Sequence, residues 1–277
     1  MEKQHKHEWY RSLMFTSKQC RLIRFKTRLL LFGIMLIGTA LTPNSVFAQD
    51  DSALADNFDF GLNLQNMHTW HGFVVTPGFM LGSSIQYTSN NEKFVGGLWG
   101  GASSNGSYRE FSYYMNYSVT NDFTVSLISH NNYSDSENPD IFSYDKYTSP
   151  NFVDIVFEYN LPDKVPLTLY WSTILFGNGG DYAVDNQGDV TDSYSNYAEI
   201  RYRFLSGKDV QFSVFAGSAF SFATEKTFYS NKPSIVNTGL TLSYDVELLN
   251  QEFPVSATAF WNPESKIGAL QMAISLF

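Results

Sequence analysis

Residues 111–119 carry the pattern that constrains this chain most. Phe111, Tyr113, Met115, Tyr117 and Val119 fall on one side of an extended backbone, and Ser112, Tyr114, Asn116 and Ser118 on the other. Side chains of a strand alternate between faces, so this spacing predicts a strand with one apolar and one polar face. The pattern returns down the chain. Val153, Ile155, Phe157, Tyr159 and Leu161 alternate with Asp154, Val156, Glu158 and Asn160. Tyr194, Ala198, Ile200, Tyr202 and Phe204 alternate with Ser195, Tyr197, Glu199, Arg201 and Arg203. Val236, Leu240, Leu242, Tyr244, Val246 and Leu248 alternate with Asn237, Gly239, Thr241, Ser243, Asp245 and Glu247. No long segment shows the i, i+3, i+4, i+7 repeat of an amphipathic helix.

Twelve segments are expected as strands, near 57–68, 78–88, 93–103, 108–119, 122–133, 151–161, 165–176, 193–205, 209–223, 234–248, 253–262 and 266–277. Most reach the about 9–11 residues that a tilted strand needs to cross a bilayer. The links alternate. Tight turns are expected at 89–92, 121–122, 162–164, 206–208 and 250–252, and the intervening links include the long stretches 69–77, 134–150, 177–192 and 224–233. This predicts an all-β fold, a transmembrane antiparallel up-and-down barrel of about twelve strands with both termini at the short-turn end. A closed sheet pairs every backbone N–H and C=O internally, as lipid demands. The competing reading is a soluble sandwich or lipocalin-like barrel with the apolar face turned inward.

Composition narrows the function classes. Charged residues are 16% and aromatics 17%, opposite to the bias of disordered chains. One apolar run is present, so a polytopic helical membrane protein is excluded. A single cysteine excludes a disulfide scaffold. A net charge of −9 argues against a nucleic-acid partner.

The apolar run is Leu29–Leu41, preceded by eight Lys and Arg within Met1–Arg28 and followed by Val46-Phe47-Ala48. Basic region, short apolar core and small or β-branched residues at −3 and −1 predict a signal peptide, residues 1–48, cleaved after Ala48. The long basic region makes Met14 an alternative start, and an uncleaved anchor helix is the competing reading. Eight of the 18 basic and two of the 27 acidic residues lie in this segment, so residues 49–277 hold 10 basic and 25 acidic residues and no cysteine.

The last strand ends Ile274-Ser275-Leu276-Phe277, which resembles the C-terminal aromatic signal read by barrel-insertion machinery, although Ser275, Ala273 and Gln271, in step with Phe277, are not large and apolar. A wider resemblance covers roughly 58–205. It runs through His71-Gly72, Ser84-Ile85-Gln86-Tyr87, Phe94-Val95-Gly96-Gly97-Leu98-Trp99-Gly100, Glu110-Phe111-Ser112-Tyr113-Tyr114 and Phe157-Glu158-Tyr159. These segments resemble TorF-type porins, with His71-Gly72 standing where that family has Arg-Gly. The resemblance implies an outer-membrane barrel with a pore function and supplies no catalytic residues.

The polar faces collect ionisable groups. Glu110, Asp154, Glu158, Glu199, Arg201 and Arg203 are the expected pore-lining residues, where charges of both signs select solutes. The competing reading is a salt-bridge network that braces a narrow barrel. At twelve strands both fit, since eight strands fill the interior and sixteen leave a channel. His130, Asn132 and Ser134 share a face and resemble the catalytic set of the outer-membrane phospholipase, which requires a direct His–Ser hydrogen bond; the expectation is that the chain is not an enzyme. Asp181, Asp185, Asp189 and Asp192 lack EF-hand spacing and read as a solvated loop. No metal or cofactor is expected. Gly96-Gly97, Gly100-Gly101 and Gly179-Gly180 read as barrel bends and loop hinges. The expected function is a passive pore for small hydrophilic solutes in the outer membrane, with that membrane's lipid and the insertion machinery as partners. A plugged structural or surface-adhesion barrel, and then a lipid hydrolase, are the alternatives.

Overall fold

The computed structural model describes residues 57–134, 140–161, 165–177, 181–184, 187–207, 210–248 and 251–277. The expected signal peptide and its cleavage point lie outside the described residues, as do Asp185 and Gly179-Gly180.

Among the described residues alternation becomes sixteen strands: β1 (Phe58–Gln65), β2 (His68–Trp70), β3 (Phe73–Thr76), β4 (Met80–Thr88), β5 (Phe94–Ser103), β6 (Arg109–Ser118), β7 (Phe123–His130), β8 (Phe152–Asn160), β9 (Leu167–Gly177), β10 (Tyr182–Val184), β11 (Val190–Asp192), β12 (Ser195–Ser206), β13 (Val210–Ser221), β14 (Ser234–Leu248), β15 (Gln251–Asn262) and β16 (Ile267–Ser275). Twelve of them close an antiparallel barrel in the order β1-β16-β15-β14-β13-β12-β9-β8-β7-β6-β5-β4. Closure uses the chain's last residues. Gln65 pairs with Ala273 and Asn63 with Ser275, and Leu62 N donates to Phe277 O at 3.0 Å.

The outer wall is apolar. Phe60, Met115, Ile200, Leu242 and Leu270 are each 45–59% exposed, and such residues recur on the outer face around the barrel. Water-soluble monomers rarely expose contiguous apolar patches beyond a few hundred Å², so this face needs lipid. Polar residues turn the other way: Asp59, Gln86, Ser112, Asn116, Ser126, Asp154, Glu158, Thr168, Ser172 and Glu199 are buried inside the barrel. An apolar exterior around a polar interior removes the soluble sandwich from contention. It is the architecture of outer-membrane proteins, and that is the membrane this chain spans.

Three details differ from the sequence expectation. The first segment does not run to 68. The chain leaves the wall after Gln65, and the link expected as a plain loop forms the β2–β3 hairpin, with Trp70 opposite Phe73. Val236, expected on the lipid face, is turned inward by a bulge: Gly217 pairs with Asn237 and Ser218 with Ile235, which leaves Val236 unpaired and fully buried. Gly97 and Gly101, expected as barrel bends, lie as floors under aromatic rings. A Cβ on Gly97 would sit 2.4 Å from Tyr114 Cζ, and one on Gly101 2.4 Å from Trp99 Cη2.

Tyr113 faces outward but is covered from outside. Its hydroxyl bonds that of Tyr144, and its ring packs 5.8 Å from Phe142, so the link after β7 drapes over the outer wall.

Candidate functional site

The outer mouth of the barrel is closed by side chains from two inward-folded links. The β2–β3 hairpin turns at His71 and Gly72, whose φ angles are 46° and 85°. Positive φ at both central residues defines the two-residue turn whose twist matches a hairpin, and it explains glycine at the second position. The tip then reaches the far wall. Asn262 Nδ2 on β15 donates to Gly72 O at 3.2 Å, and Gly72 lies directly against the backbone of Val236.

His71 sits among aromatic rings. Its imidazole stacks on Tyr197 with centroids 3.9 Å apart, and Trp70 stacks on its neighbouring side at 4.3 Å. Nδ1 lies 3.1 Å from the Tyr229 hydroxyl and Nε2 3.3 Å from that of Tyr170. Burial holds the His71 pKa well below the usual histidine range, with the nearby His130 adding to the effect. The second inward link carries Phe228 and Tyr229. It is anchored by Ser195, whose hydroxyl accepts from Phe228 N at 2.7 Å and donates to the Asp181 carboxylate. Trp70 completes the seal against Phe152, Phe228 and Tyr229, with centroids 5.4–5.8 Å away. At the base of the hairpin His68 stacks over Trp99 at 6.0 Å, and its Nδ1 lies 3.4 Å from Gln65 Nε2.

The ionisable residues picked out from the sequence fall into two groups at different depths. Nearer the mouth, His130 bridges two carboxylates: Nδ1 is 3.3 Å from Glu110 Oε1 and Nε2 is 3.9 Å from Asp154 Oδ2. Glu110 also accepts from Ser112 Oγ at 2.6 Å and from Tyr108. Deeper in the barrel, Glu158 and Glu199 lie level with each other across β9, both registered with Tyr170. Glu199 accepts from Arg201 Nη2 at 2.9 Å, from Asn237 Nδ2 at 3.2 Å and from the Tyr197 hydroxyl. Arg201 lies over the Phe215 ring at 5.3 Å. Arg203 occupies the next inward position along β12. Here, along β12–β14, Arg203, Gln211, Ser213, Thr241, Ser243 and Asp245 are half-buried rather than sealed.

Glu199 is thus the hub of the deep group and only 4% exposed. Replacing it with alanine removes the ion-pair partner of Arg201, a change that costs about 3–5 kcal/mol for a buried pair. The denaturation midpoint of the refolded barrel measures this, and Glu199→Gln, which keeps the shape, is expected to lose less.

The other sequence candidates resolve differently. Both ring nitrogens of His130 face carboxylates, while Ser134 Oγ donates to Asn132 Oδ1 at 2.6 Å. The His130–Ser134 hydrogen bond that a hydrolase needs is not made. Asp181 is buried against Ser195, and Asp192 pairs with Lys146 at 3.2 Å. Among the described residues no group of His, Cys, Asp or Glu is arranged to hold a metal ion.

No family model and no curated protein matches the chain. Solved barrels do align. The NanC porin shares 9% identity over 78% of this chain and 98% of its own, with a TM-score of 0.43. Wzi, an outer membrane protein of Escherichia coli involved in group 1 capsule assembly and a carbohydrate-binding β-barrel, shares 10% over 79% and 56%, at 0.34. The translocator domain of the autotransporter NalP from Neisseria meningitidis shares 11% over 94% and 96%, at 0.32. All three scores fall below 0.5, so the likeness says nothing about what this chain does.

The aromatic mouth was not legible in the sequence. The one signal there was His71-Gly72 inside a short polar–aromatic link, a pair suited to a hairpin turn.

Proposed function

We propose that this barrel is an outer-membrane channel for small hydrophilic solutes, held shut at its outer mouth by the β2–β3 hairpin. The carrying observation is that one two-stranded element supplies the centre of the seal, with Phe228 and Tyr229 of the second link packed around it. Trp70, His71 and Gly72 fill the mouth, while the wall beneath them is polar and charged. Folding this hairpin out would leave the Glu158, Glu199, Arg201 and Arg203 group lining the path. Carboxylates and guanidinium groups side by side there set the ion preference. The role is passage rather than catalysis. Lipid contacts the outer face, the insertion machinery reads the strand ending in Phe277, and export removes residues 1–48.

A second reading is a permanently plugged structural barrel. The close docking of Gly72 on Val236 favours it. Conductance in planar bilayers decides between them. The intact protein is expected to conduct poorly, and a variant with residues 66–79 replaced by a tight turn to conduct well. In that variant Arg201→Glu with Arg203→Glu is expected to move the reversal potential in a salt gradient toward cation preference. A folded but silent hairpin-deleted barrel overturns the channel reading.

A further inference from the structure

Histidine placement at the mouth is not random. The chain has five histidines, two of them within the first seven residues. The other three, His68, His71 and His130, all meet at the docked hairpin. His68 and His71 ride on it, and His130 on the wall of β7 packs 5.6 Å from Trp70.

We propose that the hairpin is an acid-released plug: protons taken up by His68 and His71 drive it out of the mouth and open the channel. The inference rests on the channel reading above and adds its regulation.

The geometry shows why protonation opposes docking. His71 is flanked by Trp70, Tyr170, Tyr197 and Tyr229, none of which supplies a negative charge at neutral pH. Glu199, which accepts from the Tyr197 hydroxyl, is already engaged by Arg201 and Asn237. An imidazolium at this place loses its water and gains no counter-ion, and it meets His130 as another potential cation. His68 is packed by Trp99, Tyr108 and Gln65. Glu110 on β6 favours its charge, and burial together with His130 opposes it more strongly, which leaves the docked pKa at about 4. Asp154 and Asp181 act on Tyr229, the phenol bonded to His71 Nδ1; Asp154 also faces His130, and Asp181 accepts from Ser195.

The sign follows directly. Both histidines have docked pKa values below the ordinary 6.5 that they regain in water. Docking is therefore fully favoured above about pH 6.5 and weakens as pH falls, because the released hairpin binds more protons. Between pH 7.5 and 5.5 each histidine shifts the balance by about 10-fold, and the two together by about 100-fold. The hairpin joins the wall through Asn66-Met67 before β2, with Asn66 held to Leu270 and Met272 of β16, and through Pro77-Gly78-Phe79 after β3.

The test is open probability of the refolded protein in planar bilayers across pH 7.5–4.5, for the intact chain, His68→Gln, His71→Gln, the double variant and the hairpin-deleted barrel. As pH falls from about 6.5 to about 5.5 the slope of the logarithm of the open-to-closed ratio is expected to grow from about one toward two per pH unit in the intact chain. It should grow toward about one in each single variant and not at all in the double. The slope reads proton uptake whatever a substitution does to the baseline, so a merely structural role for these residues leaves it unchanged. A flat intact chain beside a conducting hairpin-deleted barrel overturns acid release and spares the channel. An undiminished slope in the double variant overturns the assignment to these two histidines. A silent hairpin-deleted barrel overturns the channel reading itself.

Discussion

Gly72→Val should open the channel at neutral pH without unfolding the barrel. Gly72 holds φ at 85°, and a Cβ there would lie 2.1 Å from the carbonyl oxygen of Val236. A β-branched residue is excluded on both counts. The left-handed backbone costs roughly 1–2 kcal/mol for a residue with a Cβ. Displacing the tip also forfeits the Asn262 hydrogen bond, worth about 1 kcal/mol. The clash with main chain, which cannot swing aside as a side chain does, comes on top. Every 1.4 kcal/mol is tenfold, so the docked fraction should fall on the order of 100-fold. Bilayer conductance should rise accordingly, while the melting behaviour of the barrel changes little, because Gly72 belongs to no wall strand. Unchanged conductance in a folded Gly72→Val protein would show that the hairpin does not close the path.

The second large effect is on stability. Leu242 lies near the middle of β14, faces outward and is 45% exposed to what is lipid in the membrane. Leu242→Arg should cost about 2–4 kcal/mol, the penalty for a cation on the lipid face near the bilayer midplane. Ser243→Arg, one residue on and facing the interior, should cost no more than about 0.5 kcal/mol, as surface changes do. Phe157→Arg on β8 should behave like Leu242→Arg. Denaturant titrations in lipid vesicles measure all three. Equal losses on the two faces would mean that the outer wall does not meet lipid.

How much of this was legible follows from the range of the interactions involved. A strand's two faces are set by neighbours two residues apart, so alternation at 111–119 or 236–248 already assigns inside and outside. The tight turns after β4 and β6 are local as well. Val236 departs from the alternation because the bulge opposite Gly217–Ser218 depends on pairing with another strand. Gly97 could be read only as a barrel bend until Tyr114 was seen lying across it.

The same division separates wall from mouth. Strand number, up-and-down order and the apolar exterior are consequences of local periodicity and of the need to pair every backbone group in lipid. The sequence by itself determined these. It also put Glu158, Glu199, Arg201 and Arg203 on polar faces. That His71 meets Tyr170, Tyr197 and Tyr229, residues 99 to 158 positions away, was decided only by tertiary structure. A link that folds inward and one that extends into water can have the same composition. The choice depends on whether the closed wall presents rings and a carbonyl where the tip arrives, and that surface exists only once the barrel has formed.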